Sequence, residues 1–376
     1  MKVVYLYSNL PSYRGDFFCE LSKSLELDNN SLIVLHGIYE GGKVVKQVEG
    51  DVNYEKYSFP VNKRKFVLPM EIMEGCFNRF KEINPDALVI SYQSANVSML
   101  RIVLYCLIKG IPYATWRCGY NGYDNHSSFF SKIREKMIKF VEKHAKYNIA
   151  YGSYYKGILE KKGISPSNII IAQNTINIEK IIEENRDYGV KVFDENIIRI
   201  LFVGAIVKKK YIETSILAVK KLIETGYKVS FDIVGGGEPL DDLKKLVEKE
   251  NLGDYVQFAG PQYGENLKYY WRNSHVFLAA GIGGLAINEA MAYGLPIIST
   301  NADGTICDLI DGNGFFMDKF GDVELQYECL ERFIKTTKEE KMQMSQCSLE
   351  IIKTKASQKN MVEKHKFVCD CLRNKN

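Results

Sequence analysis

The residues best suited to chemistry in this chain are a glycine run, Gly281-Ile282-Gly283-Gly284, a carboxylate shortly after it, Glu289, and a cation upstream, Lys210. The run lies within AAGIGGLAINEAMAYGLPII (279–298). A strand-like segment, HVFLAAG, precedes it, and a helical pattern from Leu285 to Tyr293 follows, stopped by Gly294 and Pro296. Glycines ahead of a helix leave unpaired N–H groups with no Cβ in front of them. Together with the positive end of the helix dipole they attract an anion, and a diphosphate is the natural guest. The other reading of the run is a tight turn that needs positive φ. Glu289, in the second helical turn and roughly on the face of Leu285, is placed to reach a diol beside such phosphates; read alone, it is an exposed helix glutamate. Lys210 ends the run Lys208-Lys209-Lys210, which by itself reads as a solvated cluster of charge.

These residues must be positioned by an alternation of short apolar runs and helical patterns. VVYLY (3–7), SLIVLHG (31–37), ALVISY (87–92), PYATW (112–116), YNIAYG (147–152) and NIIIAQN (168–174) read as strands, with amphipathic stretches such as Phe17 to Leu27 and Val97 to Lys109 between several of them. A charged stretch then interrupts the pattern near Ile178 and reads as a connector. A second series follows: IRILFVG (198–204), KVSFDIVGGG (228–237), YVQFAG (255–260), HVFLAAG (275–281) and LPIIST (295–300). Strands alternating with helices predict parallel sheets wound with helices, and so an α/β protein of two Rossmann-like domains. The expected boundaries are 1–177 for the first domain, 178–197 for a linker and 198–360 for the second. A last helix, about 361–376, is expected to return to the first domain.

Composition removes several classes of function. The chain has 376 residues, 46% of them hydrophobic, which is material for two or three domains. It has no apolar run long enough to span a membrane and no secretory pattern after Met1, so cytoplasmic residence is expected. Nine cysteines without paired CxxC spacing argue for reduced thiols and against a disulfide framework or a zinc site; no metal is expected. A formal charge of +4 is small for this length, and no nucleic-acid motif is present.

FVGAIVKKK (202–210), DIVGGGEPLDDLKKL, YVQFAGPQ, the glycine stretch and DLIDGNGFFM (308–317) occur in one order. That order resembles the donor-binding half of retaining GT-B glycosyltransferases of glycosyltransferase family four, strongly over about residues 198–317. More weakly, SNLPSYRGDFFCELSKSL and YGSYYKGILEKKGI…NTIN resemble the start and end of the first, acceptor-binding domain of the same enzymes. The resemblance implies that Lys210 neutralises a donor diphosphate and that Glu289 accepts hydrogen bonds from the nucleotide ribose. It implies base contacts at Gly260, Pro261 and Gln262, phosphate amides at Gly283, Gly284 and Leu285, and donor contacts at Gly204 and Gly281. Gly15 would approach the diphosphate from the first domain. It further implies a nucleotide-sugar substrate, a glycan or lipid-linked saccharide acceptor, a setting in bacterial surface polysaccharide assembly, and no cofactor.

The chain departs from the family's pattern in three places. Ala205 stands where an arginine is common, Gly281 where a first glutamate is usual, and Cys118 where relatives often carry a histidine beside the reacting sugar. Arg14, Lys208 and Lys209 are candidates to replace the missing charge. Arg14 and, in or near the loop YNGYDNHSS, Arg117, Cys118, Asp124 and His126 are candidates for acceptor or sugar contacts, and the loop is equally readable as a surface connection. The departures also motivate an alternative, a non-catalytic GT-B scaffold or partner subunit; a third reading is another nucleotide-sugar reaction such as epimerisation.

SFFSKIREKMIKFVEKHAKY carries lysines at 132, 136, 139, 143 and 146 beside an apolar stripe of Phe130, Ile133, Met137, Phe140 and Val141. Such a helix suits peripheral contact with an anionic membrane, and suits equally a core-facing helix with a basic outer side.

Overall fold

The computed structural model describes residues 1–39, 52–65, 69–118, 129–186, 191, 193, 197–301 and 303–373. The chain divides into two compact units, Met1–Asn177 with Gln358–Asn376, and Ile178–Ser357.

The first unit is built on β1 (Lys2–Tyr7), β2 (Ser31–Ile38), β3 (Glu55–Lys65), β4 (Pro69–Met73), β5 (Ala87–Ile90), β6 (Tyr113–Arg117), β7 (Tyr147–Ala150) and β8 (Ile169–Ile171). They form one sheet in the order β4-β3-β2-β1-β5-β6-β7-β8, parallel throughout except for the antiparallel edge strand β4. The period-2 rule places Val3, Tyr5 and Tyr7 in one core layer and Val4 and Leu6 in the other. A central parallel strand buried on both faces has to read as a continuous apolar run, and VVYLY does. β3 and β4 are not legible as strands. β3 contains Pro60, which sits where β3 changes partner: residues up to Pro60 pair with β2, and Val61 onward pairs with β4.

Helices cover both faces. Asn96 caps Val97–Lys109 by accepting from the Met99 N–H at 3.2 Å, and Gly110 ends it in the left-handed region at φ 66°. Helix Gly15–Glu26 packs on the last helix of the chain, Gln358–Arg373. That last helix buries Met361, Val362, Val368, Cys369 and Leu372 in the core layer that holds Tyr5 and Trp116.

The second unit carries β9 (Ile198–Val203), β10 (Val229–Val234), β11 (Val256–Gly260), β12 (Val276–Ala279), β13 (Ile297–Thr300) and β14 (Gly314–Met317). All are parallel, in the order β11-β10-β9-β12-β13-β14. In order of appearance this is the 3-2-1-4-5-6 arrangement of a dinucleotide-binding fold. Ile200, Phe202, Phe231, Ile233 and Leu278 belong to the core of this unit, with Ile212, Ile216, Val219 and Leu222 of helix Ile212–Glu224. The stretch read as a connector begins with a helix, Ile178–Glu184, which packs within this unit against helix Ala286–Ala292.

Candidate functional site

In an open parallel sheet the ligand crevice lies beyond the carboxyl ends of two neighbouring strands whose chains leave in opposite directions. In the second unit those strands are β9 and β12. They pair only through Val276–Ile200 and Phe277–Leu201, so they part before their loops begin. From β9 the chain runs through Gly204 to a one-turn 3-10 helix, Lys208–Lys210. From β12 it runs through Gly281–Leu285 into helix Ala286–Ala292, one residue inside each end of the predicted span.

The two loops are fastened together by main chain. The Ile282 N–H donates to the Lys209 carbonyl at 2.9 Å. A Cβ at Gly281 would lie 2.2 Å from that same carbonyl oxygen and 2.7 Å from the Lys210 Cα, so only glycine permits this approach. Gly281, Gly283 and Gly284 are not among the positive-φ glycines. The reason for glycine at 281 is therefore close contact, not a left-handed turn. Lys210 folds over the loop, its Nζ donating to the carbonyls of Ile282 and of Gly283, the latter at 3.3 Å. Burial holds its ammonium below the ordinary lysine range, opposed by the charge of Asp303. Among the described residues, the amides of Gly283, Gly284 and Leu285 donate to no main-chain carbonyl. A cation and three open N–H groups thus share one loop.

Tyr211, directly after Lys210, has φ 53° and ψ 40°, a left-handed conformation that costs a bulky residue about 1 kcal/mol or more. Its ring packs beside Phe320, with centroids 6.4 Å apart, which holds the turn presenting Lys210.

Glu289 is half-buried, with its N–H on the Leu285 carbonyl at 3.0 Å. Burial raises its carboxyl to about 7, and the indole N–H of Trp271 acts in the opposite direction. It is therefore not the solvated helix glutamate of the simpler reading. Trp271 is fully buried on helix Gly264–Asn273 and stacks on Tyr293 at 5.9 Å and 17°.

Gly204, Gly260 and Pro261 are drawn together around Gly235 and Gly236, after the carboxyl end of β10. The Gly204 N–H donates to Val234 O at 3.0 Å, and the Gly235 N–H to Gly260 O at 2.9 Å. A Cβ at Gly235 would lie 1.9 Å from the Gly204 oxygen, and one at Gly236 would lie 3.2 Å from Pro261 Cγ. Gln262 turns its amide back to Ala259 O at 2.6 Å.

The remaining predicted residues lie in the first unit. Gly15 opens helix Gly15–Glu26. Arg14, a candidate to replace the missing charge and to contact acceptor or sugar, is only 1% exposed. Its guanidinium lies 4.5 Å from the Trp116 ring and donates to Tyr151 Oη at 3.1 Å and to Asn174 Oδ1 at 2.5 Å. So enclosed, it contributes no surface charge, and Lys208 and Lys209 are the exposed members of the basic run. Arg117 ends β6 and reaches the buried Glu142 at 3.4 Å. Glu142 also takes Lys162 at 2.7 Å and the Tyr155 hydroxyl. Cys118 follows Arg117 and is partly exposed. Asp124 and His126 lie outside the described residues. Sequence reasoning missed Tyr211, Trp271 and Asp303; the first directly follows Lys210, and only the fold brings the other two to Glu289 and Lys210.

The two sheets and this crevice define a GT-B fold, shared over the whole chain with solved structures. The Anabaena protein Alr3699/HepE, solved in complex with UDP, superposes with a TM-score of 0.71 at 14% identity, covering 99% of this chain and 100% of that one. Residues 183–347, which lie within the second unit, match the family model described as Glycosyl transferases group 1. An uncharacterized glycosyltransferase of Methanocaldococcus jannaschii, MJ1059, is 25% identical over 68% of this chain and 66% of its own length. The amylovoran biosynthesis glycosyltransferase AmsK of Erwinia amylovora is 29% identical over 37% of this chain and 36% of its own length. The chain thus spans less than two thirds of the curated relatives it matches.

Proposed function

We propose that the protein is a retaining glycosyltransferase that moves a sugar from a nucleotide-sugar donor to a hydroxyl of a glycan or lipid-linked acceptor, in surface polysaccharide assembly. The observation that carries this reading is the loop Gly281–Leu285, where Lys210 and the open amides of Gly283, Gly284 and Leu285 converge at the β9/β12 crevice, with Glu289 one helical turn further on. The match to Glycosyl transferases group 1 over this unit supports it, as do the polysaccharide role in the name of AmsK and the UDP in the HepE complex.

In this reading the diphosphate lies against the glycine loop and the ribose diol against Glu289. As the bond between the sugar's anomeric carbon and the phosphate oxygen breaks, negative charge grows on the leaving diphosphate. Lys210 and the fixed amides stabilise that charge more in the transition state than in the ground state. The acceptor oxygen bonds to the same face of the anomeric carbon, and its proton passes to the departing phosphate oxygen. Glu289 has to be ionised to accept two hydroxyl protons, and a nucleotide diol is the partner that would draw it into that form.

Incubating the pure protein with nucleotide sugars tests the proposal: slow release of nucleoside diphosphate, lost in Lys210→Ala, is expected. No release with any donor would favour the scaffold reading. The absent arginine and glutamate at 205 and 281 motivate that second reading, and at 281 the Lys209 carbonyl leaves no room for a side chain. An isomerised donor formed without acceptor would favour epimerisation. We also place the enzyme at the cytoplasmic face of a membrane, through the exposed lysines of helix Phe129–His144.

A further inference from the structure

Trp271 is fully buried, and its indole Nε1–H has no acceptor within hydrogen-bond geometry among the described residues. A buried donor left unpaired costs about 1–3 kcal/mol, so its retention calls for a partner acquired in another state. The ring stacks on Tyr293, one turn after Glu289 on the same helix, with the Tyr293 N–H on the Glu289 carbonyl at 3.1 Å. The stacking brings the indole to the residue one turn after Glu289, and its N–H reaches far enough to favour the ionised form of the Glu289 carboxyl.

Other charged groups around this helix already have partners. Lys268 pairs with Glu184 at 2.8 Å and with Glu265 at 2.8 Å. Arg272 donates to Asn185 Oδ1 at 3.0 Å. Helix Lys338–Lys355 brings Ser345 and Leu349 to Gly294, and its buried Lys341 is held by the Ile334 and Thr336 carbonyls at 2.9 and 2.7 Å. Lys210 is taken up by the glycine loop. The frame holding Trp271 is itself fixed from below, since the buried Lys191 ammonium donates to the Trp271 and Arg272 carbonyls at 2.5 and 2.6 Å.

We propose that Trp271 is the positioning residue of Glu289: its indole N–H closes onto one oxygen of the ionised carboxylate when a nucleotide binds, and so aims the other oxygen at the ribose diol. The inference rests on the donor-binding reading of Glu289. Without the N–H, the carboxyl keeps its proton to higher pH, and nucleotide binding follows it. Hydrogen bonds of this kind tighten on ligand binding.

The test is calorimetric affinity for UDP, GDP, ADP, CDP and dTDP across pH in wild type, Trp271→Phe and Glu289→Gln. Trp271→Phe retains the stacking and removes the donor. If its loss raises the carboxyl by about one pH unit, binding is roughly fivefold weaker near pH 7 and returns to within about twofold near pH 9. A loss equal at all pH values would mean that Trp271 only packs, and would overturn the proposal. Unchanged affinity in Glu289→Gln would instead overturn the reading of Glu289 itself. A second measurement uses the unmodified protein. The chain has two tryptophans, Trp116 and Trp271, so two indole N–H resonances report by NMR. The Trp271 resonance should titrate with the midpoint of nucleotide affinity and move downfield on saturation, while that of Trp116 stays constant. A Trp271 resonance indifferent to both pH and nucleotide overturns the proposal even if the variant does not fold.

Discussion

The ammonium of Lys210 donates to the carbonyl of Gly283 at 3.3 Å, so the cation and the glycine loop form one assembly. The loop's oxygens are turned to the lysine, which leaves its amides for an anion.

Lys210→Ala removes the cation while the bond from the Ile282 N–H to the Lys209 oxygen survives. Loss of a single transition-state cation predicts a fall in kcat on the order of a hundredfold or more, with the melting temperature nearly unchanged. Initial rates and a thermal scan on one preparation check both halves.

Two glycines of the loop should respond differently. Gly281→Ala drives a methyl into the Lys209 carbonyl, so both stability and nucleotide binding should fall. At Gly284 the nearest atom to a new Cβ is Lys210 Nζ at 3.9 Å, so Gly284→Ala should fold normally and lose affinity only. Equal melting temperatures for the two variants would contradict this account of the loop.

Stability should fall as pH rises through the range set by Glu289. Its folded carboxyl titrates at about 7, against about 4.5 for the ordinary value. Between those values the folded chain binds the extra proton, so stability decreases with rising pH, by at most about 3 kcal/mol once both states are ionised. Glu289→Gln, which cannot ionise, should therefore gain stability over wild type near neutral and alkaline pH and show no gain near pH 4. Urea melts at both pH values decide it.

Deleting everything after Ser357 removes Met361, Val362, Val368, Cys369 and Leu372 from the first unit's core. Each is worth about 1.5–3 kcal/mol on burial, so together they rival the whole stability of a domain. His365 goes too, with its 3.0 Å bond to the Tyr5 hydroxyl. Near-UV circular dichroism of the truncated chain should show lost aromatic packing; a spectrum and melting curve like wild type would refute the prediction.

Flotation with anionic vesicles tests the membrane proposal. Helix Phe129–His144 buries Val141 and Glu142 while Phe129 is 72% exposed and Lys132, Lys136, Lys139 and Lys143 face solvent. Lys136→Glu with Lys139→Glu should abolish binding, and added salt should weaken it. Binding that ignores both would dismiss electrostatic docking.

Strands buried on both faces were readable as nearly continuous apolar runs; VVYLY and IRILFVG became β1 and β9. β3, β4 and β14 were not. β3 and β4 lie at a sheet edge with polar residues and Pro60, and β14, Gly314–Met317, was read only as part of the motif DLIDGNGFFM. The glycine loop and Lys210 were legible because their chemistry is local. Arg14 was not legible as an interior cation, since the rings around it come from separate segments, Trp116 and Tyr151 among them. Trp271 meets Glu289 only through folding, and no spacing rule joins positions so far apart in the chain.

The first unit holds both Met1 and the last helix, while the second is entered after Asn177 and left before Gln358. A mechanical load applied between the two ends of the polypeptide would therefore be borne first by β1 and helix Gln358–Arg373. The second unit would carry tension only after that helix had peeled away. In a force-extension trace, rupture of the terminal helix should come first, and the crevice with its lysine should outlast it.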